Sequence, residues 1–322
     1  MDRRDMLGLM ALSLAAPALG AFAQPRADLA SADAARGAAW KSWRRFAPLT
    51  GGQVAYVDRG SGPAVLFLHG FPLSGFQWRH AVERFSASRR CIVPDFLGLG
   101  FTRVADGQSV APAAQVRMLE ELLAALDVQT VDLVASDSGG AVAQMFAVAH
   151  PDRVRTMLLT NCDVEPNSPP PALRPVLDLA AQGRFADEWL VPWAADKDLA
   201  RSPTGLGGQC YSRPGHPTDA AIDAYLGPLV ATPASRALTN RYALGLDPNP
   251  LAGIEARLRT LQTPTRIVWG MKDDIFDPKM PDYLDALLPQ SRGVRRVAEG
   301  KLFWPEEYPE ILAEELDRLW RA

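Results

Sequence analysis

Val131-Asp132-Leu133-Val134-Ala135-Ser136-Asp137-Ser138-Gly139-Gly140 is the stretch on which the fold turns. Val131–Ala135 is short and mostly apolar, as a strand covered on both faces requires. Gly139–Ala149 continues as a helix, so strand and helix are joined by a tight turn built of small residues. Those residues let the chain reverse sharply and let the helix pack close. Such a turn lifts one side chain to the helix N-terminus, where the helix dipole favours an anion. Two registers put a candidate nucleophile there: Asp137 in Ala135–Gly139, or Ser138 in Ser136–Gly140. The strand length from Val131 and the paired glycines after the turn favour Asp137.

Outward from this turn, strands and helices alternate. Strands are expected at Gln53–Asp58, Ala64–Leu68, Cys91–Pro94, Val154–Thr160, Arg266–Trp269 and Gly293–Val297. Helices are expected at Trp78–Phe85, Ala113–Leu126, Met280–Leu288 and Ile311–Trp320, with an Ala-rich lead-in helix over Gln24–Arg45. This alternation predicts an α/β fold: a mostly parallel sheet flanked by helices. Residues 163–261 break the rhythm with prolines and helical patches. An insertion between parallel strands sits over the sheet's carboxyl edge, where ligands bind. The expected organisation is therefore a core of residues 24–162 and 262–322 with a helical cap at 163–261.

Composition excludes other classes. The 322 residues are 48% hydrophobic and 22% charged, ordinary for a folded globular chain rather than a disordered or fibrous one. A net charge of −3 gives no basic surplus for nucleic acid or an anionic membrane surface. Cys91, Cys162 and Cys210 lack the spacing of a zinc site, and no metal or organic cofactor is implied. Residues 1–23 read as an export signal: Arg3-Arg4, an apolar stretch from Met6 to Leu19, and Ala21-Phe22-Ala23 as a cleavage pattern. The arginine pair resembles a twin-arginine signal, which implies a periplasmic destination with no membrane attachment after removal.

Three further motifs, in order, carry a resemblance. Leu66-Phe67-Leu68-His69-Gly70-Phe71-Pro72 follows a strand, as do Val93-Pro94-Asp95-Phe96-Leu97-Gly98-Leu99-Gly100-Phe101-Thr102 and Val268-Trp269-Gly270-Met271-Lys272-Asp273-Asp274. Together with the turn at Asp137 they resemble the α/β-hydrolase superfamily, in particular its haloalkane dehalogenase, fluoroacetate dehalogenase and epoxide hydrolase branches. There an Asp at the strand–helix turn attacks carbon and forms an ester. The resemblance implies that the backbone N–H groups of Phe71 and Ser138 form an oxyanion hole and that His69 is structural. It implies Asp273 as the acid, with Asp274 or Asp163 as alternatives; Asp163 reads more simply as a solvated loop carboxylate. His150 falls at a helix end and His80 on a helix surface.

The resemblance also implies a catalytic His before the last helix, in Val297–Glu310, and none is there: Lys301 or Leu302 stands in its place. His216, Glu306 or Lys301 are the candidates to replace it as base. Tyr242, Trp189 and Tyr211 are candidate substrate-binding residues in the cap, and Trp193 a further aromatic there. The expected activity is hydrolysis of a small, largely apolar molecule with Asp137 as nucleophile. The alternatives are a non-catalytic ligand-binding member of the fold and an esterase using Ser138.

Overall fold

The computed structural model describes residues 26–321, so the export-signal reading of residues 1–23 lies outside the described residues. Nine strands form one sheet: β1 (Arg45–Leu49), β2 (Gly52–Arg59), β3 (Ala64–Leu68), β4 (Arg90–Pro94), β5 (Arg103–Val104), β6 (Val131–Asp137), β7 (Val154–Cys162), β8 (Thr265–Gly270) and β9 (Ser291–Val297). Their order is β1-β2-β4-β3-β6-β7-β8-β9, with β5 paired to β2. From β4 through β3 to β9 each successive pairing is parallel, and the antiparallel pairings are those that β2 makes with β1, β4 and β5. The central strands β3 and β6 are buried at every residue, which explains the unbroken apolar run of β3 and the mostly apolar one of β6.

The longer helices are α1 (Arg26–Trp43), α2 (Arg79–Phe85), α3 (Pro112–Ala125), α4 (Ser138–Ala149), α5 (Arg174–Ala181), α6 (Asp219–Val230), α7 (Pro233–Leu244), α8 (Met280–Leu287) and α9 (Pro309–Arg321). α3 packs on α4 and α2 on α9. Between β7 and β8 the described chain is helical throughout its regular structure, with α5, α6 and α7 joined by shorter turns. β6 and β7 run two residues further than the apolar pattern alone indicates, because Asp137 pairs in register with Cys162 on the neighbouring strand.

α1 is tied to the rest by a buried ion cluster that local periodicity does not show. Arg79 on α2 donates from Nε and Nη2 to both carboxylate oxygens of Asp33 on α1, at 3.0 and 2.8 Å. Its Nη1 donates to Glu306 at 2.6 Å, and Thr218, just before α6, donates to Asp33 at 2.9 Å. One guanidinium thus joins α1, α2 and the short helix Trp304–Glu307, while Thr218 brings in α6. His80 also lies here, largely buried beside Asp33, and not on a helix surface as its sequence position suggested; α1 covers that face. Burial works to raise the Asp33 carboxyl, but the Arg79 guanidinium overrides it and holds it at about 2.

Removing one partner of such a cluster strands the others without compensation. Arg79→Met is expected to cost about 3–5 kcal/mol in urea unfolding at neutral pH. The folded value of Asp33 lies below the ordinary ~3.9 of an unfolded Asp. Its contribution is therefore complete above about pH 4 and lost as pH falls through about 2. The cost of Asp33→Asn should shrink across that acid window; a cost independent of pH would contradict the assignment.

Candidate active site

Asp137 ends β6 and caps α4 with φ +56° and ψ −134°, a conformation that non-glycine residues rarely adopt. The strain belongs to the strand–turn–helix reading, and it sits at Asp137 rather than at Ser138, the first residue of α4. Two backbone N–H groups converge on one carboxylate oxygen: Phe71 N donates to Asp137 Oδ1 at 2.9 Å and Ser138 N at 2.5 Å. Burial pushes the Asp137 carboxyl upward, and these two donors oppose that shift by favouring the charged form.

The loop carrying Phe71 is held from below by His69. Phe96 N donates to His69 Nε2 at 3.0 Å, so Nδ1 carries the proton and donates to Gly70 O at 2.9 Å. The two ring nitrogens tie this loop to the one after β4, which is a positioning role. His150 meets Glu120 at 2.6 Å at a helix end, distant from this chemistry.

Asp137 opens onto a cavity of about 110 Å³. Phe71, Phe185, Trp189, Trp193, Leu246 and Phe276 supply much of its apolar wall. Phe71, Phe185, Trp189 and Trp193 form a chain of ring contacts with centroids 5.6–5.7 Å apart. Leu302 also faces this cavity, so an isobutyl group lies where the resemblance placed an imidazole.

Asp163, at the end of β7, lines the same cavity and is only 5% exposed. The solvated-loop reading of Asp163 is therefore wrong: Cys162 pairs with Asp137, and this draws the next residue into the interior. Ser168 Oγ donates to Asp163 Oδ1 at 2.7 Å. Burial first, and the Asp137 charge second, push the Asp163 carboxyl up to about 7. Asp273 follows β8, accepts from Asn161 Nδ2 at 2.8 Å and Ile275 N at 2.9 Å, and is raised to about 6, mainly by burial. Asp274 is exposed and pairs with Lys301 at 3.2 Å.

The proposed substitute bases do not reach the cavity. Lys301 Nζ donates to Gly208 O at 2.8 Å and lines an adjoining groove of about 720 Å³. His216 lines that same groove, stacked on Tyr211, with its imidazole lowered to about 4 by burial and by the Arg79 charge. Glu306 is occupied by Arg79 and by Tyr211, whose OH donates to it at 2.7 Å. Tyr211 thereby joins the ion cluster and lines the adjoining groove rather than the Asp137 cavity. Tyr242 stands behind Phe71, stacked on its ring at 5.3 Å, with its OH 3.3 Å from Ser138 Oγ. Of the three aromatic candidates in the helical segment, Trp189 alone lines the cavity, beside Trp193. Asp163, an alternative acid in the sequence that read more simply as solvated, lines the cavity instead; the signal available was its position one residue past a buried strand adjacent to β6.

Comparison with known proteins agrees with this architecture. A family model described as alpha/beta hydrolase fold matches residues 63–306. Haloalkane dehalogenase 2 of Mycobacterium tuberculosis is 27% identical over 265 residues, spanning 75% of this chain and 85% of that protein. A cis-3-alkyl-4-alkyloxetan-2-one decarboxylase of Shewanella oneidensis is 27% identical over 247 residues, 73% of this chain and 74% of that protein. Among solved structures, an alpha/beta hydrolase fold protein from Burkholderia ambifaria superimposes with a TM-score of 0.73 at 24% identity, over 85% of this chain and 97% of that one. The chain belongs to the α/β-hydrolase fold family.

Proposed function

We propose that this protein is a hydrolase in which the Asp137 carboxylate attacks an electrophilic carbon of a small, largely apolar substrate. The observation that carries the reading is the pair of N–H donors from Phe71 and Ser138 on Asp137 Oδ1. With Oδ1 held, Oδ2 is the oxygen that forms the new bond to carbon, and the leaving group departs with the pair from the broken bond. Water then adds to Cγ of the resulting ester, and the same two donors stabilise the tetrahedral oxyanion. A cavity of about 110 Å³ limits the reacting end of the substrate to a few non-hydrogen atoms. The likeness to a haloalkane dehalogenase supports attack at carbon over attack at a carbonyl.

Leu302 in the cavity wall favours a second reading, a ligand-binding member of the family that performs no chemistry. An esterase using Ser138 has less support, since its hydroxyl meets Tyr242 and no basic side chain.

Intact-protein and peptide mass spectrometry after exposure to short alkyl bromides and epoxides separates these readings. The expected result is a covalent adduct on the peptide containing Asp137, with adduct and turnover both lost in Asp137→Asn. Turnover that survives Asp137→Asn contradicts the proposal. Binding without adduct or turnover establishes the binder, and acylation of Ser138 by an activated ester establishes the esterase. Gly70→Ala should cripple the site as well, because a Cβ there would lie 2.5 Å from Asp137 Cβ. The expected loss is about 100-fold or more in kcat/KM, the scale of losing an oxyanion donor.

A further inference from the structure

The ionisable side chains that line the Asp137 cavity, among the described residues, are Asp137, Asp163 and Cys210. Burial pushes the Cys210 thiol well above its ordinary value, so it stays neutral and accepts no proton. Asp163 is different. Its N–H faces Asp137 O at 3.5 Å, and its own carbonyl is pinned by Gln144 Nε2 at 2.8 Å, so its backbone is fixed beside the nucleophile. Ser168 is the one side chain shown donating to its carboxyl, and no cation lies at ion-pair distance from it among the described residues. The charged or titratable neighbours that act on it or feel it are Asp137, Cys162 and Tyr242. None of them supplies a positive charge that would lock it as a carboxylate.

We propose that Asp163 is the acid–base group of this site, replacing the absent imidazole, and that it suits the site to strained oxygen heterocycles such as small epoxides rather than to halides. This rests on Asp137 being the nucleophile. Asp137 Oδ2 forms a bond to a ring carbon, the ring C–O bond breaks, and the departing oxygen takes the proton of the Asp163 carboxyl. Asp163, now a carboxylate, takes a proton from water as that water adds to Cγ of the Asp137 ester. The tetrahedral intermediate collapses, the ester C–O bond breaks toward the alcohol oxygen, and Asp163 returns the proton to it. The collapse leaves Asp137 as the protonated acid, carrying the water-derived hydroxyl, and Asp163 as the carboxylate. The proton then passes from Asp137 to Asp163, so that epoxide and water leave as a vicinal diol and both carboxyls return to their starting forms. A halide departs without a proton, so a protonated Asp163 gives it no help, and an ionised Asp163 repels it. A folded-state value of about 7 keeps both protonation forms of Asp163 populated near neutrality, which such a shuttle requires.

The test compares a small epoxide with a matched alkyl bromide in rapid-quench mass spectrometry of wild type, Asp163→Asn and Asp137→Asn. In Asp163→Asn, ester formation from the epoxide should slow by about 100-fold or more. The bromide should still alkylate Asp137 in that variant, but the adduct should persist. Epoxide turnover within about twofold of wild type in Asp163→Asn, with Asp137→Asn dead, overturns the role of Asp163 and leaves the nucleophile intact. Activity in Asp137→Asn overturns the nucleophile itself. Ser168→Ala gives an independent readout. Losing a donor to the carboxylate should move the corresponding limb of the pH–rate profile to higher pH, and an unmoved limb contradicts the assignment. Folding of Asp163→Asn is checked in the same samples. The folded value of about 7 exceeds the ordinary ~3.9 of an unfolded Asp, so ionised Asp163 destabilises as pH rises between them. The Asn variant should therefore melt above wild type at pH 8, with the gain vanishing near pH 4.

Discussion

The close approach of two backbone segments governs this site. Asp137 sits at φ +56° only because the strand before it and the helix after it are both fixed by the core. The loop at Gly70 then lies so close that any side chain at that position would overlap the Asp137 carbons. The same holds on the far side, where a Cβ at Gly140 would lie 2.3 Å from Cys162 Cβ. Three consequences follow from one tight junction. Phe71 N and Ser138 N both reach the same carboxylate oxygen, α4 presents its N-terminus to that charge, and β7 is drawn in far enough to bury Asp163.

Charge in this interior is unevenly supported. Around Asp33 and Glu306, one fully buried guanidinium is shared by two carboxylates, holding Asp33 low while burial still raises Glu306, and fastens α1 and the Trp304–Glu307 helix to the core. Around Asp137, Asp163 and Asp273 no such cation is present among the described residues, and all three carboxyls are raised, first of all by burial. The contrast separates structure from chemistry. A cluster that must never open is paired, whereas carboxyls that exchange protons or attack carbon are left with N–H, amide and hydroxyl donors only.

Much of the fold was readable because its information is local. β3 is a continuous apolar run and β6 a mostly apolar one since both faces are covered, and the turn at Asp137 announces itself through small residues around one acidic side chain. The structural role of His69 was legible for the same reason, since its partners Gly70 and Phe96 lie in the neighbouring loops. The helical segment between β7 and β8 was not legible in this way. Its residues reach the site by tertiary packing, so Tyr211 and Tyr242 looked equivalent to Trp189 until the fold sent one to Glu306 and the other behind Phe71. His216 and Lys301 were plausible by residue type but face the adjoining groove. Asp163 was misjudged because a lone carboxylate after a strand is solvated in most settings; its burial comes from register with β6, which no single segment reveals.

If Asp137 is the nucleophile, one of its carboxylate oxygens is transferred to the substrate. A single turnover in water labelled with heavy oxygen, at enzyme in excess over substrate, tests it directly. The expected result is an unlabelled first-turnover product and the label in the peptide carrying Asp137. Label appearing at once in the product, with none in that peptide, would contradict it.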